Sequence, residues 1–167
     1  MHASTLNDTR RRAVFLDRDG VINLDKAYVH RWEDFEFAPG AIEAMRQLKA
    51  AGYELVVVTN QSGIARGMYT QDQFRQLTEH MCEELAHFDA RPTAVYHCPH
   101  HPSGSVAEFA VDCLCRKPQP GLVLEAARDL QLSLVDSIMV GDKPSDMEAA
   151  RAAGVGQIGR ASCRERV

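Results

Sequence analysis

Two aspartates one residue apart, Asp17 and Asp19, stand directly after the apolar run Val14-Phe15-Leu16 and just before Gly20. A carboxylate can act as a nucleophile, and a second one beside it can carry a proton, so the pair is a candidate for covalent catalysis with acid/base help. Further along the chain, Thr59 offers a hydroxyl, Lys117 an ammonium and Asp142 a third carboxylate. These five make the set that metal-assisted phosphoryl transfer calls for. The ammonium and a hard cation neutralise phosphoryl oxygens, and carboxylate oxygens suit Mg²⁺. No glycine-rich nucleotide loop accompanies them, which excludes a P-loop NTPase and leaves an aspartyl-phosphate intermediate as the natural route.

A second constellation lies between positions 98 and 115. The short pairs Cys98-x-His100 and Cys113-x-Cys115, separated by a loop containing Ser103-Gly104-Ser105, supply four nitrogen and sulfur ligands. Four such ligands close a tetrahedral site with no vacancy for water, so the metal expected there is structural Zn²⁺. His97 and His101 compete for the single histidine role. The loop has little apolar content, and a bound metal would fold it.

These residues need elements to hold them, and the chain alternates strand and helix signals. After the first apolar strand, Pro39-Gly40 introduces a helix with Ile42, Met45 and Leu48 on one face, ended by Gly52. A β-branched run from Tyr53 to Val58 predicts a second strand that stops at Thr59-Asn60-Gln61-Ser62-Gly63. Thr70 and Gln73 form a candidate capping box for a helix with Phe74, Leu77, Met81, Leu85 and Phe88 on one stripe, Cys82 being a buried small apolar residue of that helix. A third strand from Ala94 to His97 enters the cysteine region, and a third helix follows Pro120-Gly121 with Val123, Ala126, Ala127 and Leu130 inward. The fourth strand, Ser137 to Val140, ends at Gly141-Asp142-Lys143-Pro144, with Asp146 just inside the next helix. The alternation predicts an α/β fold of Rossmann-like type, a parallel sheet between two layers of helices. In such sheets ligands bind beyond the carboxyl ends of the strands, where all these polar clusters fall.

Composition bounds the remaining possibilities. The 167 residues, 45% hydrophobic, fit one globular domain, and 23 acidic against 19 basic residues leave a net charge of −4 without the basic footprint of a nucleic-acid binder. No apolar stretch is long enough to span a bilayer, and residues 1–12 lack an apolar core of signal-peptide length. Five cysteines, an odd number, argue against a disulfide framework. The expectation is a cytoplasmic monomer whose only partner is a small molecule.

The patterns Asp17-Arg18-Asp19-Gly20, Val58-Thr59-Asn60, Lys117 before a helix and Gly141-Asp142-Lys143-Pro144-Ser145-Asp146 resemble the four motifs of the haloacid dehalogenase superfamily of phosphatases. Within it, the stretch from Thr59 to Gly67, Tyr96-His97-Cys98-Pro99-His100-His101-Pro102, Cys113-Leu114-Cys115-Arg116-Lys117-Pro118 and Pro120-Gly121 resemble the D-glycero-D-manno-heptose 1,7-bisphosphate phosphatases. The likeness runs from about Ala13 to Gly156. It implies that Asp17 is the nucleophile and that Asp19 protonates the leaving sugar oxygen and then activates water. It implies Mg²⁺ on Asp17, the backbone carbonyl of Asp19 and Asp142, with Thr59 and Lys117 holding phosphoryl oxygens, and it favours His100 as the zinc-binding histidine. The pair of aspartates would divide labour because one stays ionised while the other carries a proton. One-residue spacing turns their side chains to opposite sides of an extended chain, so the loop must redirect one of them.

The same resemblance implies a reaction, removal of the 7-phosphate of the heptose bisphosphate on the route to ADP-heptose for lipopolysaccharide, with histidinol-phosphate phosphatase as the alternative. It places Asp25 to Tyr28, Asn60, Gln61, Ser62, Arg116 and Lys143 against the sugar or its distal phosphate. Arg116 is included because a guanidinium grips phosphate at two points. Lys26-Ala27 stands where His-Gly is expected in close relatives. The interval Leu24 to Ala38 is too short for a folded cap, and the later insertion point is taken by the zinc loop, so an open site is expected. After Gly154-Val155-Gly156 relatives continue through another strand and a helix, whereas Gly159 to Val167 has neither period and reads as a truncated or atypical tail that leaves Cys163 a free thiol.

Overall fold

Four consecutive residues with almost no solvent contact, Ala13–Leu16, form β1 at the centre of the sheet. In the computed structural model, which describes residues 9–161, this strand is flanked by β2 (Glu54–Asn60) and β4 (Ile138–Gly141), with β3 (Ala94–Cys98) outside β2 and β5 (Gln157–Arg160) outside β4. All four pairings are parallel, and the order is β3-β2-β1-β4-β5. A strand covered on both faces reads as a continuous apolar run, which is why β1 and the Leu55 to Val58 stretch of β2 show no polar alternation.

Helices close the two faces. Phe15, Val56, Val58 and Met139 pack against Leu122, Val123 and Ala126 of α3 (Gly121–Leu130) and Ala150 of α4 (Pro144–Ala153). On the other face Val14, Leu16, Leu55 and Val57 meet Met45 of α1 (Ala41–Ala50) and Met81, Cys82 and Leu85 of α2 (Gln71–Ala86). The three-layer α/β architecture is the expected one. The interval from Leu24 to Ala38 contains a single turn of 3₁₀ helix at Trp32–Asp34, and residues 99–120 contain no helix or strand, so among the described residues no cap is folded over the sheet.

The capping box on α2 is present: Thr70 Oγ1 accepts from the Gln73 N–H at 3.1 Å and Gln73 Oε1 accepts from the Thr70 N–H at 2.9 Å. Two sequence expectations need correction. Phe88 does not continue the apolar stripe of α2, because the helix stops at Ala86 and Phe88 lies half exposed beyond it. Gly159 and Arg160 belong to β5, paired with Val140 and Gly141, and not to a tail without period. The strand forms because the β4 edge offers an unpaired row of backbone groups that a short extended segment satisfies. Cys163 and the rest of the tail lie outside the described residues.

Candidate active site

The loop after β1 answers how two aspartates so close in sequence are separated. Asp17 still belongs to the sheet, its N–H donating to Val140 O at 3.2 Å. The chain then winds around the carbonyl of Arg18, which accepts from the N–H groups of Val21, Ile22 and Asn23 at 3.2, 2.8 and 3.3 Å. Gly20 adopts φ +87°, and a Cβ there would lie 2.2 Å from Asp142 Oδ2, so only glycine lets this turn press against the end of β4. The turn sends Asp17 inward and Asp19 outward to the cleft.

Asp17 is buried beside Lys117. Lys117 Nζ lies 3.1 Å from Asp17 Oδ1 and 2.6 Å from Asp146 Oδ1, and donates to Val58 O at 2.8 Å. Lys117 is 3% exposed, and a cation so deep is tolerated because carboxylates on two sides and a carbonyl replace its water. Burial pushes the Asp17 carboxyl up to about 6, the attraction of Lys117 opposing that rise and the charge of Asp146 adding to it. Asp146, one turn into α4, also accepts from the Lys143 N–H at 3.1 Å through Oδ2. The sequence reading placed Asp146 in a motif but gave it no role; here it is the second counter-charge of Lys117.

Carboxylate oxygens of Asp17, Asp142 and Asp146 all lie within 4.8 Å of one another. Asp142 Oδ1 is buried without a hydrogen-bond partner, and burial raises the pKa of its carboxyl. An orphaned carboxylate oxygen inside an acidic cluster fits a hard divalent cation, which would supply the missing partner. The carboxylate of Asp19 is not part of this cluster.

Asp19 instead accepts four hydrogen bonds from three side chains. Arg18 Nη2 donates to both of its oxygens at 2.9 and 3.1 Å, Asn23 Nδ2 to Oδ1 at 3.0 Å and Gln61 Nε2 to Oδ2 at 3.1 Å. Gln61 Nε2 also donates to Thr59 Oγ1 at 2.9 Å, which ties the end of β2 to the loop after β1. Arg18 and Asn23 were not singled out from sequence. Arg18 in particular, a charged residue between two site residues, carries no signal that it will be almost wholly buried, its Nη2 also donating to Val29 O at 2.7 Å.

Beyond Asp19 opens a cleft of about 260 Å³ lined by Asp19, Asp25, Tyr28, Asn60, Gln61, Ser62, Tyr69 and Lys143, among others. Asp25, Tyr28, Asn60, Gln61, Ser62 and Lys143, all assigned to substrate by resemblance, therefore border one space, and Lys143 Nζ stands 3.7 Å from Asp25 Oδ2. Arg116 does not line it. Asn60 borders the cleft, but its carboxamide is committed elsewhere: Oδ1 accepts from the Lys117 N–H at 3.0 Å and Nδ2 donates to Lys117 O at 3.1 Å. It grips the main chain on both sides of the lysine and sets where the ammonium points.

Ala27 and Tyr28, on the cleft rim, both adopt left-handed backbone with φ +60° and +56°. The strain at Ala27 explains why glycine is the residue expected there in relatives. An L-residue in this region costs roughly 1–2 kcal/mol, partly offset by glycine's greater chain entropy, so Ala27→Gly is expected to stabilise by about 0.5–1 kcal/mol. Thermal melting should show a rise of about 2 °C; an unchanged or lower melting temperature would contradict the strained-loop account.

The second constellation also assembles. Sulfur–sulfur separations are 3.5 Å for Cys98–Cys113 and Cys113–Cys115 and 2.9 Å for Cys98–Cys115, and His100 Nδ1 lies 3.6 and 3.4 Å from the sulfurs of Cys98 and Cys115. All four donor atoms fall within 4.8 Å of one another. Tetrahedral zinc with thiolate bonds of about 2.3 Å has ligand–ligand edges of about 3.7 Å, close to most of these and far from disulfide geometry. The group could bind such a metal. His97 and His101 are engaged elsewhere, His97 Nε2 with Gln71 Oε1 at 2.6 Å and His101 Nε2 with Arg66 Nη2 at 3.2 Å. The cluster sits directly upstream of Arg116 and Lys117, and the Arg116 N–H donates to Cys113 Sγ at 3.3 Å.

Known proteins resemble this chain over most of its length. A family model described as haloacid dehalogenase-like hydrolase matches residues 5–154. The D-glycero-beta-D-manno-heptose-1,7-bisphosphate 7-phosphatase of Escherichia coli strain K12 is 57% identical over 144 residues, covering 86% of this chain and 75% of the relative. That of Yersinia pestis is 54% identical over 144 residues, covering 86% and 77%. Among solved structures, the D,D-heptose 1,7-bisphosphate phosphatase of B. bronchiseptica complexed with magnesium and phosphate superposes with a TM-score of 0.77 at 34% identity, covering 87% of this chain and 78% of that one.

Proposed function

Because the chain belongs to the haloacid dehalogenase-like hydrolase family, we propose that it hydrolyses the 7-phosphate of D-glycero-D-manno-heptose 1,7-bisphosphate through a phosphorylated Asp17. The observation that carries this reading is the buried Asp17–Lys117–Asp146 arrangement two residues from Asp19, which itself borders a polar cleft of about 260 Å³. The carboxylate of Asp17 attacks phosphorus, and the bond from phosphorus to the sugar oxygen breaks as Asp19 delivers a proton to that oxygen. Water then attacks the phosphoryl group while Asp19 takes one of its protons. Cleavage of the bond to Asp17 releases phosphate and restores Asp17 as a carboxylate and Asp19 as the protonated acid.

Lys117 and the Thr59 hydroxyl neutralise the phosphoryl oxygens in both steps. Lys117 is delivered by Asn60 and balanced by Asp146, so its charge faces the nucleophile without moving. Mg²⁺, held by Asp17, Asp142 and the main-chain carbonyl of Asp19, would neutralise charge developing on the transferred group. Asp25, Tyr28, Ser62 and Lys143 hold the sugar and its second phosphate from the cleft walls, which Arg116 does not line. The unpaired thiols gathered in that loop suit a reducing compartment, which supports action in the cytoplasm. No helix of the described residues is long and apolar enough to cross a membrane.

Phosphate release from the heptose bisphosphate, compared with histidinol phosphate, tests the reading. At least about tenfold faster turnover of the heptose substrate is expected, in line with the names of the relatives above, and equal slow turnover of both would overturn it.

We assign Zn²⁺ to Cys98, His100, Cys113 and Cys115, as a folding element for residues 99–120. Cys113→Ser is expected to lose bound metal in elemental analysis and to lower the melting temperature. It should blur discrimination between the heptose bisphosphate and simpler phosphate esters more than it slows the chemistry, because Asp17 and Asp19 sit on another loop. Retention of zinc with unchanged melting would refute the assignment.

A further inference from the structure

Tyr69 lies in the turn that leads into α2, 5% exposed, and no role in the reaction has been given to it above. Its hydroxyl donates to Gln61 Oε1, and the Gln61 side chain is itself buried. A carboxamide has one oxygen and one nitrogen, so a donor fixed on the oxygen decides where the nitrogen points. With Oε1 held by Tyr69, Nε2 faces Asp19 Oδ2 at 3.1 Å and Thr59 Oγ1 at 2.9 Å. Turned over, the amide would set its oxygen against the Asp19 carboxylate, a repulsive contact. The main chain of Gln61 is anchored as well, its N–H donating to Cys98 O at 2.8 Å.

The other donors to Asp19, Arg18 and Asn23, belong to its own loop and move with it. Gln61 comes from the end of β2, and so fixes Asp19 relative to Thr59 and the phosphoryl site. The Tyr69 ring is seated from two sides. His30 stacks on it with centroids 5.0 Å apart and an interplanar angle of 10°, and a Cβ on Gly63 would lie 2.1 Å from Tyr69 Cε1, so glycine there leaves the ring its place. His30 Nδ1 is in turn 2.8 Å from Tyr28 O, which couples the ring to the cleft rim.

We propose that Tyr69 is a positioning residue for proton transfer, its hydroxyl orienting the Gln61 carboxamide so that Asp19 is held at the leaving oxygen. The proposal rests on the reading of Asp19 as the proton carrier. It concerns only steps that need a proton, which separates it from a general packing role. A sugar alkoxide leaves poorly without protonation, whereas p-nitrophenolate leaves without it.

The test compares the wild type, Tyr69→Phe and Asp19→Asn in single-turnover phosphoryl transfer at saturating heptose bisphosphate and at saturating p-nitrophenyl phosphate. For Tyr69→Phe the rate on the heptose substrate should fall at least about tenfold, with its apparent Kd within about threefold, while the rate on the aryl substrate changes by less than about threefold. A partly unfolded population lowers both rates alike, so their ratio remains readable even for a destabilised variant. Gly63→Ala, which displaces the ring, should move the ratio the same way. Parallel loss on both substrates, no loss on either, or a loss of heptose affinity in place of rate would overturn the proposal. Should Asp19→Asn fail to separate the two substrates, the reading of Asp19 fails and the role of Tyr69 with it; should Asp19→Asn separate them and Tyr69→Phe not, the role of Tyr69 alone is refuted.

Discussion

Asp17→Asn is expected to lower kcat/KM for the heptose bisphosphate by about 10⁴-fold or more while leaving the fold at least as stable as before. The activity loss follows from the mechanism: an amide oxygen is a poor nucleophile toward phosphorus, and removing a covalent nucleophile costs on the order of 10⁴ to 10⁶ in well-studied hydrolases. The stability outcome follows from burial. The carboxyl of Asp17 is pushed up to about 6, desolvation first among the causes, so near pH 7 the folded protein holds a charge that its surroundings disfavour. Sign matters here: a carboxyl raised in the folded state favours folding where it is protonated, and that contribution fades as pH rises through about 6. Asparagine removes the charge with little change of shape, and Lys117 keeps Asp146 as its partner at 2.6 Å. Phosphate release at pH 7 with Mg²⁺ added, and thermal melting at pH 7 without it, check the two halves. Turnover within about tenfold of wild type would remove Asp17 as nucleophile, and a melting temperature lowered by several degrees would refute the claim that its charge is carried at a cost.

The same residues show where sequence reasoning stops. The carboxyl end of β1 was legible because an apolar run that switches abruptly to carboxylates has few meanings in a parallel sheet, and the pairing order then brings β2 and β4 to either side of it. The four candidate metal ligands of residues 98–115 were legible because thiols and imidazole at such spacing have few other uses. Asp146 was not, since an aspartate in the first turn of a helix has a sufficient local reason to be there. Its contact with Lys117 is made 29 positions away and appears only in three dimensions. Asn60 has a second role that was hidden for the converse reason. A polar strand end suggests ligand contact, yet the loop bearing Lys117 closes on its carboxamide from both sides. Arg18, Gln61 and Tyr69 form a network in which each side chain is placed by another, and no single spacing in the sequence encodes that. The misplacement of Phe88 has a backbone cause: the helix ends without glycine or proline and Asp89 turns to φ +54°, a stop that apolar periodicity cannot see.

Lys117→Met is expected to be the most damaging single change to the fold of the site, and its effect should divide cleanly when Asp146 is changed as well. The ammonium is shared by Asp17 at 3.1 Å and Asp146 at 2.6 Å, all three residues buried. Removing one member of a buried ionic group leaves the others without a counter-charge, which typically costs 3–5 kcal/mol, or a fall of about 6–20 °C in melting temperature for a chain of this size. Activity should fall about 10²- to 10³-fold, because the phosphoryl oxygens lose a preorganised cation in a site with little water. In Lys117→Met with Asp146→Asn, one of the two stranded carboxylates is gone, and about half of the lost stability should return. Activity should not return with it, since no ammonium then faces the phosphoryl group. The double-mutant cycle measures this coupling directly. Additive losses of stability would mean that Lys117 and Asp146 do not act as a pair. Recovery of activity with stability would mean that Lys117 serves the fold alone, and that the hydroxyl of Thr59 and the acidic cluster carry phosphoryl stabilisation without it.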